Sequence, residues 1–287
     1  MRRNFVKYVY LFLIFIVLYF VVYNIFNPLL KQSYQKYLYN NAVNYLRDKE
    51  YILIEPYSHG IGIEIKNAKI SEKDFEMLSI VSNNVYYLSL INCEYEYSVY
   101  NTLPKFNNLS YLNISYSIPT NIKFRISQVS LSNLQELCLT NVILDKNAMK
   151  IISSAKNIDS ISIFKSRIDA ASFNSSNIDV KHWRRIGFQG SIFDSQFINW
   201  LSSHITYLEF IFLSGTNISD EDLLKLPNTI EQIDICQTTI TANGVIKWIT
   251  EKRSPVLKRF SSDIDFTEEE LEIIKQHNIE INESLHL

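Results

Sequence analysis

The sequence has few of the residues that mark cross-linked or flexible chains. Its 287 residues include three cysteines, six glycines and six prolines. The cysteines, Cys93, Cys138 and Cys236, form no CxxC pair and show no zinc-type spacing, which excludes a disulfide scaffold and a zinc finger. The scarcity of glycine and proline excludes long low-complexity linkers. What remains is a chain that is expected to fold without covalent or metal cross-links.

An excess of charge of one sign is also absent. Lys and Arg total 28 and Asp and Glu total 30, so the formal net charge is −2. This balance argues against a nucleic-acid-binding surface and against an acidic tail. Hydrophobic residues make up 47% and charged residues 20%, as in a folded protein.

Recognisable catalytic chemistry is a third absence. No Ser/His/Asp grouping, phosphate loop or HExxH motif appears, and the histidines are scattered at positions 59, 182, 204, 277 and 286. We therefore expect no enzymatic activity, no cofactor and no metal site.

A long apolar run stands at the N-terminus. Residues 8–26 carry no charge, and at 1.5 Å per residue they extend roughly 28 Å, close to the ~30 Å hydrocarbon thickness of a bilayer. Tyrosines lie towards both ends of the run, where amphipathic rings favour the membrane interface. A cleaved signal peptide would have a shorter core followed by a site of small residues, and a buried core helix is rarely apolar all round. The sequence predicts an uncleaved anchor within residues 1–29.

The charges on either side of this run predict its orientation. Arg2, Arg3 and Lys7 precede it, whereas Lys31 and Lys36 follow it. The positive-inside rule then places the N-terminus in the cytoplasm and the rest of the chain outside the cytoplasm. The opposite orientation stays open as an alternative. Residues 30–59 are expected to form a juxtamembrane helix and an N-terminal cap.

A repeat occupies most of the remaining chain. Pairs of apolar residues separated by one residue recur at intervals of 25, 24, 25, 24, 25, 25 and 22 residues. The eight pairs are Ile63 and Ile65, Leu88 and Leu90, Leu112 and Ile114, Leu137 and Leu139, Ile161 and Ile163, Ile186 and Phe188, Ile211 and Leu213, and Ile233 and Ile235. Such a period is typical of a solenoid of stacked units.

A second apolar column supports the same register. Twelve residues after each first strand residue stand Phe75, Tyr100, Phe124, Met149, Phe173, Ile198, Leu223 and Val245. The segments 70–78, 218–226 and 267–274 carry a Ser or Thr at their first or second position and an acidic residue three positions later, which predicts helix starts with capping boxes. Each unit is therefore predicted to be a short strand, a turn and a helical return segment.

These units resemble leucine-rich repeats. The family's LxxLxLxxNxL segment is similar to LQELCLTNVIL (134–144), IDSISIFKSRI (158–168) and IEQIDICQTTI (230–240). The ninth position of the segment holds small and often hydroxyl-bearing residues instead of an asparagine ladder, and we expect the hydroxyls to bond the turn backbone. A ninth unit around Leu257 and Phe260 is expected to be out of register. The resemblance implies an α/β leucine-rich repeat solenoid over residues 60–255, followed by an irregular cap over 256–287.

The resemblance also implies a binding surface, because the concave strand face is where leucine-rich repeat proteins usually bind partners. The outward strand positions are rich in Tyr, Phe and Arg, the types enriched at protein interfaces. The predicted partner-binding residues are Tyr86, Tyr87, Tyr111, Phe164, Arg184, Arg185, Phe210 and Phe212. An alternative is that composition alone places these residues there, since the chain is 13% aromatic.

The sequence thus favours a membrane-anchored, non-enzymatic protein that binds a protein partner or a surface ligand through its strand face. Two alternatives stay open: a membrane-tethered adaptor that faces the cytoplasm, and a non-catalytic subunit of an enzyme or sensor complex.

Overall fold

A computed structural model describes most of the chain. It covers residues 2–95, 106–116, 118–119, 131–141, 144, 149, 152–176, 178, 180, 183–252 and 256–283. Within the N-terminal helix, the side chains of residues 2–18, 20–22 and 24–26 are outside the description. The predicted membrane-spanning run 8–26 therefore falls almost entirely outside the described side chains, and so do Tyr100 and Phe124 of the second apolar column.

The backbone forms one long sheet with short helices on its other side. The strands are β1 Ile52–Tyr57, β2 Gly60–Lys66, β3 Lys69–Ile70, β4 Val85–Ile91, β5 Glu94–Tyr95, β6 Tyr111–Ser115, β7 Ile118–Pro119, β8 Glu136–Thr140, β9 Ser160–Phe164, β10 Arg167–Ile168, β11 Arg185–Gly187, β12 Ile192–Phe193, β13 Phe210–Phe212, β14 Gln232–Asp234, β15 Arg259–Ser262 and β16 Glu280–Glu283. The α-helices are α1 Arg2–Arg47, α2 Glu72–Val81, α3 Ala170–Asn174, α4 Phe197–His204, α5 Asp220–Leu223, α6 Ala242–Lys247 and α7 Glu268–Gln276.

The sheet has eleven strands in the order β1-β2-β4-β6-β8-β9-β11-β13-β14-β15-β16. Every neighbouring pair is parallel except β1 and β2, which form an antiparallel hairpin at the N-terminal edge. Strand order follows chain order, as expected for a solenoid in which each unit contacts only its neighbours. The predicted α/β solenoid architecture is confirmed.

The predicted core columns are buried. All sixteen residues of the eight apolar strand pairs are among the core residues. In the second column, the six residues that the structure describes, Phe75, Met149, Phe173, Ile198, Leu223 and Val245, are buried as well. Predicted capping boxes are present at Ser71, Ser219 and Thr267, where each side chain accepts a hydrogen bond from the backbone N–H three residues on.

Each of eight successive units turns after its strand through one residue in the left-handed region. This turn residue stands four residues after the first core residue of the strand, and its φ lies between 48° and 67° in all eight units. The eight residues are Asn67, Asn92, Tyr116, Asn141, Lys165, Gly190, Gly215 and Gln237. Asn and Gly adopt this conformation at the lowest energetic cost, which explains their share of the column.

The expected backbone bonds at the ninth repeat position are present. Ser191 Oγ donates to the carbonyl of Ile163 at 2.8 Å, and Thr216 Oγ1 donates to the carbonyl of Leu213 at 2.7 Å. Thr238 makes the equivalent bond in its own unit. These side chains satisfy strand-end carbonyls inside the turn.

Three asparagines form a short ladder at another repeat position, four residues before the first core residue of β6, β8 and β9. The Nδ2 group of each ladder residue donates to a backbone carbonyl of the preceding unit, at 2.6 Å for Asn133 and Asn157. Asn108 makes the same contact with the carbonyl of Asn83. The ladder was missed because it does not occupy the repeat position at which the family carries asparagine.

The N-terminal cap consists of the end of α1 and the β1–β2 hairpin. Ala42, Val43 and Leu46 are buried in the hydrophobic core, so the helix ends as part of the solenoid and not as a free spacer. Asp74 of α2 is fully buried and holds this helix end in place by accepting hydrogen bonds from the hydroxyls of Tyr45 and Tyr51, both at 3.1 Å. Among the residues that the structure describes, no helix has the length and apolarity needed to span a membrane.

The C-terminal segment differs from the expected irregular cap. Strand β15 pairs with β14 in register, with Phe260 opposite Ile233, and β16 pairs with β15. The ninth unit is out of step in its sequence spacing, but its strand β15 continues the main sheet. The spacing from Ile233 to Phe260 is longer than the regular period, and the extra residues lie between the strands, where they leave the register unchanged.

Candidate functional site

The outward face of the sheet consists of two rows of side chains that run across the strands. The front row is the set of residues aligned just before the first core residue of each strand: Gly62, Tyr87, Tyr111, Glu136, Ser160, Arg185, Phe210, Gln232, Arg259 and Glu280. The middle row lies between the two core residues and contains Glu64, Ser89, Asn113, Cys138, Ser162, Gly187, Phe212, Asp234, Ser261 and Asn282. Together they form the strand face.

Three tyrosine rings stack at the N-terminal end of the front row. The rings of Tyr57 and Tyr87 are 6.0 Å apart and nearly parallel, and those of Tyr87 and Tyr111 are 4.5 Å apart. Tyr57 comes from the antiparallel strand β1 and lies over Gly62, where a Cβ atom would stand 2.3 Å from the ring. The absence of a side chain at Gly62 therefore allows a third ring to join the stack.

Burial changes the acid–base properties of this stack. Desolvation raises the pKa of Tyr87 and of Tyr111 above the ordinary value, so both phenols are neutral hydrogen-bonding groups around neutral pH. The neighbouring Glu64 carboxylate adds to the increase at both tyrosines, and it pairs with Lys66 at 2.7 Å.

Aromatic residues also line the C-terminal half of the face. The Arg185 guanidinium lies over the Phe210 ring at 5.1 Å from its centroid, a cation–π contact. Phe212 is half-buried in the middle row. Phe164 is placed beside Gly187, where a Cβ atom would meet its ring at 3.0 Å. The structure thus places five of the eight predicted residues in the two rows of the face, and it places Phe164 directly beside them.

The other two predicted residues, Tyr86 and Arg184, lie at the edge of the face, each one residue before a front-row residue. Tyr86 occupies a register irregularity at the start of β4 and contacts His59, with ring centroids 5.9 Å apart. Arg184 precedes β11 and binds the Glu209 carboxylate with its Nη2 at 2.7 Å, and it lies 3.8 Å from Asp159. Arg184 is therefore held in a surface ion-pair cluster, where its charge is already balanced.

A polar network crosses the middle of the face. Asn113 donates from Nδ2 to Ser89 Oγ at 3.1 Å, and Ser115 donates to Thr140 at 3.2 Å. Cys138 stands half-buried beside it, and burial raises the pKa of its thiol. None of the three cysteines is in a disulfide, and Cys93 and Cys236 are buried.

Sequence reasoning missed Tyr57 and Glu136 of this face. Tyr57 belongs to the one antiparallel strand, outside the repeat period, so the repeat alignment gave no signal for it. Glu136 was visible in the alignment, since it precedes Leu137 as Tyr111 precedes Leu112. Glu136 gives no signal by residue type, because glutamate is not among the types enriched at protein interfaces.

Two depressions lie along the face, and the second includes residues of its front row. One of about 420 Å³ runs along the N-terminal ends of the strands and is lined by His59, Tyr86, Asn108, Ser110, Asn133, Gln135 and Asn157. The other, of about 400 Å³, is lined by Phe210, Glu231, Gln232, Lys258, Arg259, Asn278 and Glu280. In the described ranges, no group of three or more His, Cys, Asp or Glu side chains could hold a metal ion.

Comparison with known proteins supports the fold. No protein-family model and no curated protein matches the chain. Among solved structures, an internalin from Listeria monocytogenes is similar, with a TM-score of 0.50 and 12% identity over 77% of this chain and 66% of that chain. A plant ice-binding protein aligns with a TM-score of 0.38 and 18% identity over 62% of this chain and 55% of its own.

The alignment spans slightly less than two thirds of the internalin's length. At 12% identity the likeness concerns the fold alone. Together with the strand order and the repeat columns, it establishes that the chain has an α/β solenoid fold of the leucine-rich repeat type.

Proposed function

We propose that this protein is a non-enzymatic recognition module that binds a protein partner through its strand face. The observation that carries the proposal is the stacked row formed by Tyr57, Tyr87 and Tyr111. Large aromatic side chains of restricted mobility supply contact area at low entropic cost, and they are enriched where interfaces are most stabilising. Since Tyr87 and Tyr111 are half-buried by each other, their exposed edges form a preorganised surface.

The fold supports the same assignment. A leucine-rich-repeat-like solenoid exposes a broad, continuous sheet surface that its own core does not need. The face combines aromatic rings with hydrogen-bonding groups such as Asn113 and Ser162. This mixture of aromatic and polar groups is typical of interfaces between proteins that also exist apart from each other.

Membrane anchoring is part of the proposal, and the sequence supports it. The uncharged run 8–26 is long enough to span a bilayer, and the charges around it favour a cytoplasmic N-terminus. The strand face would then meet its partner outside the cytoplasm, at the distance from the membrane that α1 sets. The reverse orientation would make the protein a cytoplasm-facing adaptor.

Site-specific cross-linking in native cells tests the binding face. A photo-reactive amino acid replaces Tyr111 in the full chain, and in a matched control it replaces Glu76, which is exposed on α2 across the core from the strand face. We expect a discrete cross-linked species from position 111 and none from position 76. In a separate pull-down from native membranes, the triple variant Tyr87→Ala, Tyr111→Ala and Phe212→Ala is expected to lose partner recovery. Equal cross-linking from both positions, or unchanged recovery with the triple variant, contradicts the proposal.

Protease treatment of intact cells tests the orientation. With the solenoid outside the cytoplasm, residues beyond about position 30 are degraded while the membrane stays sealed. Survival of the solenoid until the cells are lysed supports the cytoplasm-facing alternative. Release of the full chain by washing with salt or carbonate would contradict anchoring in either orientation.

A further inference from the structure

At the centre of the strand face, the part of the front row between two aromatic residues has a small residue in its middle, and we call this part the slot. The front row changes from Tyr111 through Glu136, Ser160 and Arg185 to Phe210. Ser160 is buried and too small to fill the space above it. The slot is therefore bounded by Tyr111 on one side and by Phe210 on the other.

Among the described aromatic residues, only Tyr87 stacks on the Tyr111 ring, and it covers one face. The two ring centroids are 4.5 Å apart and the rings are nearly parallel. The ring therefore stands across the row, and its uncovered face points towards β8, where Glu136 is the register partner of Tyr111. Adjacent strands lie about 4.8 Å apart, so a cation at this position would contact the ring and the carboxylate together.

The two charged residues of the slot are in no ion pair in the described part of the chain, although Arg185, after Arg184 and Tyr207, contributes to the lowered pKa of Glu209. Neither Glu136 nor Arg185 is in any of the six ion pairs found there, whereas Arg184, the neighbour of Arg185, pairs with Glu209 and Asp159. Both Glu136 and Arg185 are exposed. Their strands stand two apart, about 10 Å between the backbones, and the two side chains do not pair with each other in the described structure.

We propose that the slot recognises a pair of opposite charges on the partner protein: a Lys or Arg side chain between Tyr111 and Glu136, and an Asp or Glu side chain at Arg185, about 10 Å away. This inference rests on the proposed function, and it adds the chemistry of the contact. A cationic side chain satisfies Glu136 and the quadrupole of the Tyr111 ring at once. A carboxylate on the partner accepts from the Arg185 guanidinium, which Phe210 already holds in position.

The arrangement gives specificity as well as attraction. A partner surface with the two charges exchanged would place like charges against Glu136 and Arg185, which destabilises the complex. A partner with neutral residues at both points would leave the two charges desolvated and unpaired. The slot therefore selects both the identity and the spacing of the partner's charges.

The cationic half of the slot is tested with a small probe. N-acetyl-arginine methylamide is titrated into the full chain, with its neutral isostere N-acetyl-citrulline methylamide in a parallel arm, and the Tyr111 resonances are followed by NMR. We expect saturable shifts with the arginine compound and at least tenfold weaker binding of the citrulline compound. Glu136→Gln should weaken arginine binding about tenfold, and the matched control Glu76→Gln should not change it. Equal response to both compounds, or no effect of Glu136→Gln, overturns the inference.

The anionic half is tested in the same way. N-acetyl-glutamate methylamide is compared with N-acetyl-glutamine methylamide, against Arg185→Gln and the matched control Arg167→Gln, an exposed arginine on β10. A preference for the carboxylate that Arg185→Gln alone removes supports the inference, and its absence overturns it.

A partner-level measurement separates this inference from the proposed function. In the cross-linking experiment with the photo-reactive amino acid moved to position 212, so that Tyr111 stays in place, the double variant Glu136→Arg and Arg185→Glu should reduce the yield at least tenfold. A full yield with the double variant would contradict the inferred charge pair, and the strand face would still be the binding surface. Absence of any cross-link in the unsubstituted background contradicts the proposed function itself.

Discussion

The hydroxyl of Tyr51 donates a hydrogen bond to Oδ2 of the fully buried Asp74 at 3.1 Å. The same carboxylate accepts from the backbone N–H and the hydroxyl of Ser71 and from Tyr45. Burial alone would raise the pKa of Asp74, but these hydrogen bonds outweigh it and lower the pKa below its usual value. One side chain thus caps α2 and joins the end of α1 to the first repeat.

We expect Asp74→Asn to lower the free energy of unfolding of the full chain by about 2 kcal/mol. The substitution removes the carboxylate charge, and it places the amide NH2 group of Asn, a hydrogen-bond donor, against hydroxyl and N–H groups that are donors too. Asp222→Asn is the matched control. Asp222 occupies the same capping-box position in α5 but bonds only Ser219 and Lys225, so the expected loss is about 1 kcal/mol. Chemical denaturation measures the unfolding free energy of both variants. Equal losses would mean that the hydrogen bonds from Tyr45 and Tyr51 add no stability to that of the helix cap.

The contact also predicts an alkaline dependence. Burial, followed by the Asp74 charge and hydrogen bond, raises the pKa of Tyr51 to about 12. Because an unfolded tyrosine titrates at about 10, the stabilisation is fully present below about pH 10 and is lost as the pH rises through about 12. The stability difference between the unsubstituted protein and Tyr51→Phe should therefore be constant up to about pH 10 and close above it. Tyr34→Phe, at an exposed position of α1, should show no such difference at any pH. A difference that persists unchanged to pH 12 contradicts this prediction.

Gly62→Ala should disrupt the tyrosine stack without a change of backbone conformation. The new Cβ would stand 2.3 Å from the Tyr57 ring, so the ring must move away from Tyr87. We expect a loss of near-ultraviolet circular dichroism from the stack and of about 1 kcal/mol of stability. In a Tyr57→Ala background the same substitution should have almost no effect, and a full effect there would show that the ring is not the cause.

Gly215 offers a test of the left-handed turn column. Its φ is +66°, and an added Cβ would come no closer than 3.5 Å to Gly190, so space is available and only backbone strain opposes a side chain. We expect Gly215→Ala to cost about 1 kcal/mol by thermal or chemical unfolding. Gly215→Asn should cost clearly less, because asparagine tolerates this region and Asn67, Asn92 and Asn141 occupy it in other units. Equal costs for the two substitutions would contradict strain as the cause.

The amino-acid sequence by itself determined the repeat, the core and the helix starts. A residue of the apolar pairs, such as Ile161, must be buried wherever its unit lies, because a strand exposes alternate residues and a repeated pattern repeats the same buried surface. Capping at Ser71 and Ser219 is equally local, since it depends on residues three positions apart. Properties of this kind follow from the period and from near neighbours along the chain.

The tertiary structure alone decided which outward residues meet. Tyr57 joins Tyr87 only because β1 returns antiparallel to the sheet edge, and no repeat register predicts that contact. The difference between Arg184, bound to Glu209, and Arg185, stacked on Phe210 and without a carboxylate partner in the described residues, depends on which strand position each occupies. Adjacent residues in the sequence therefore have different surroundings, because neighbours across a sheet come from other units and their identities are not constrained by the local pattern.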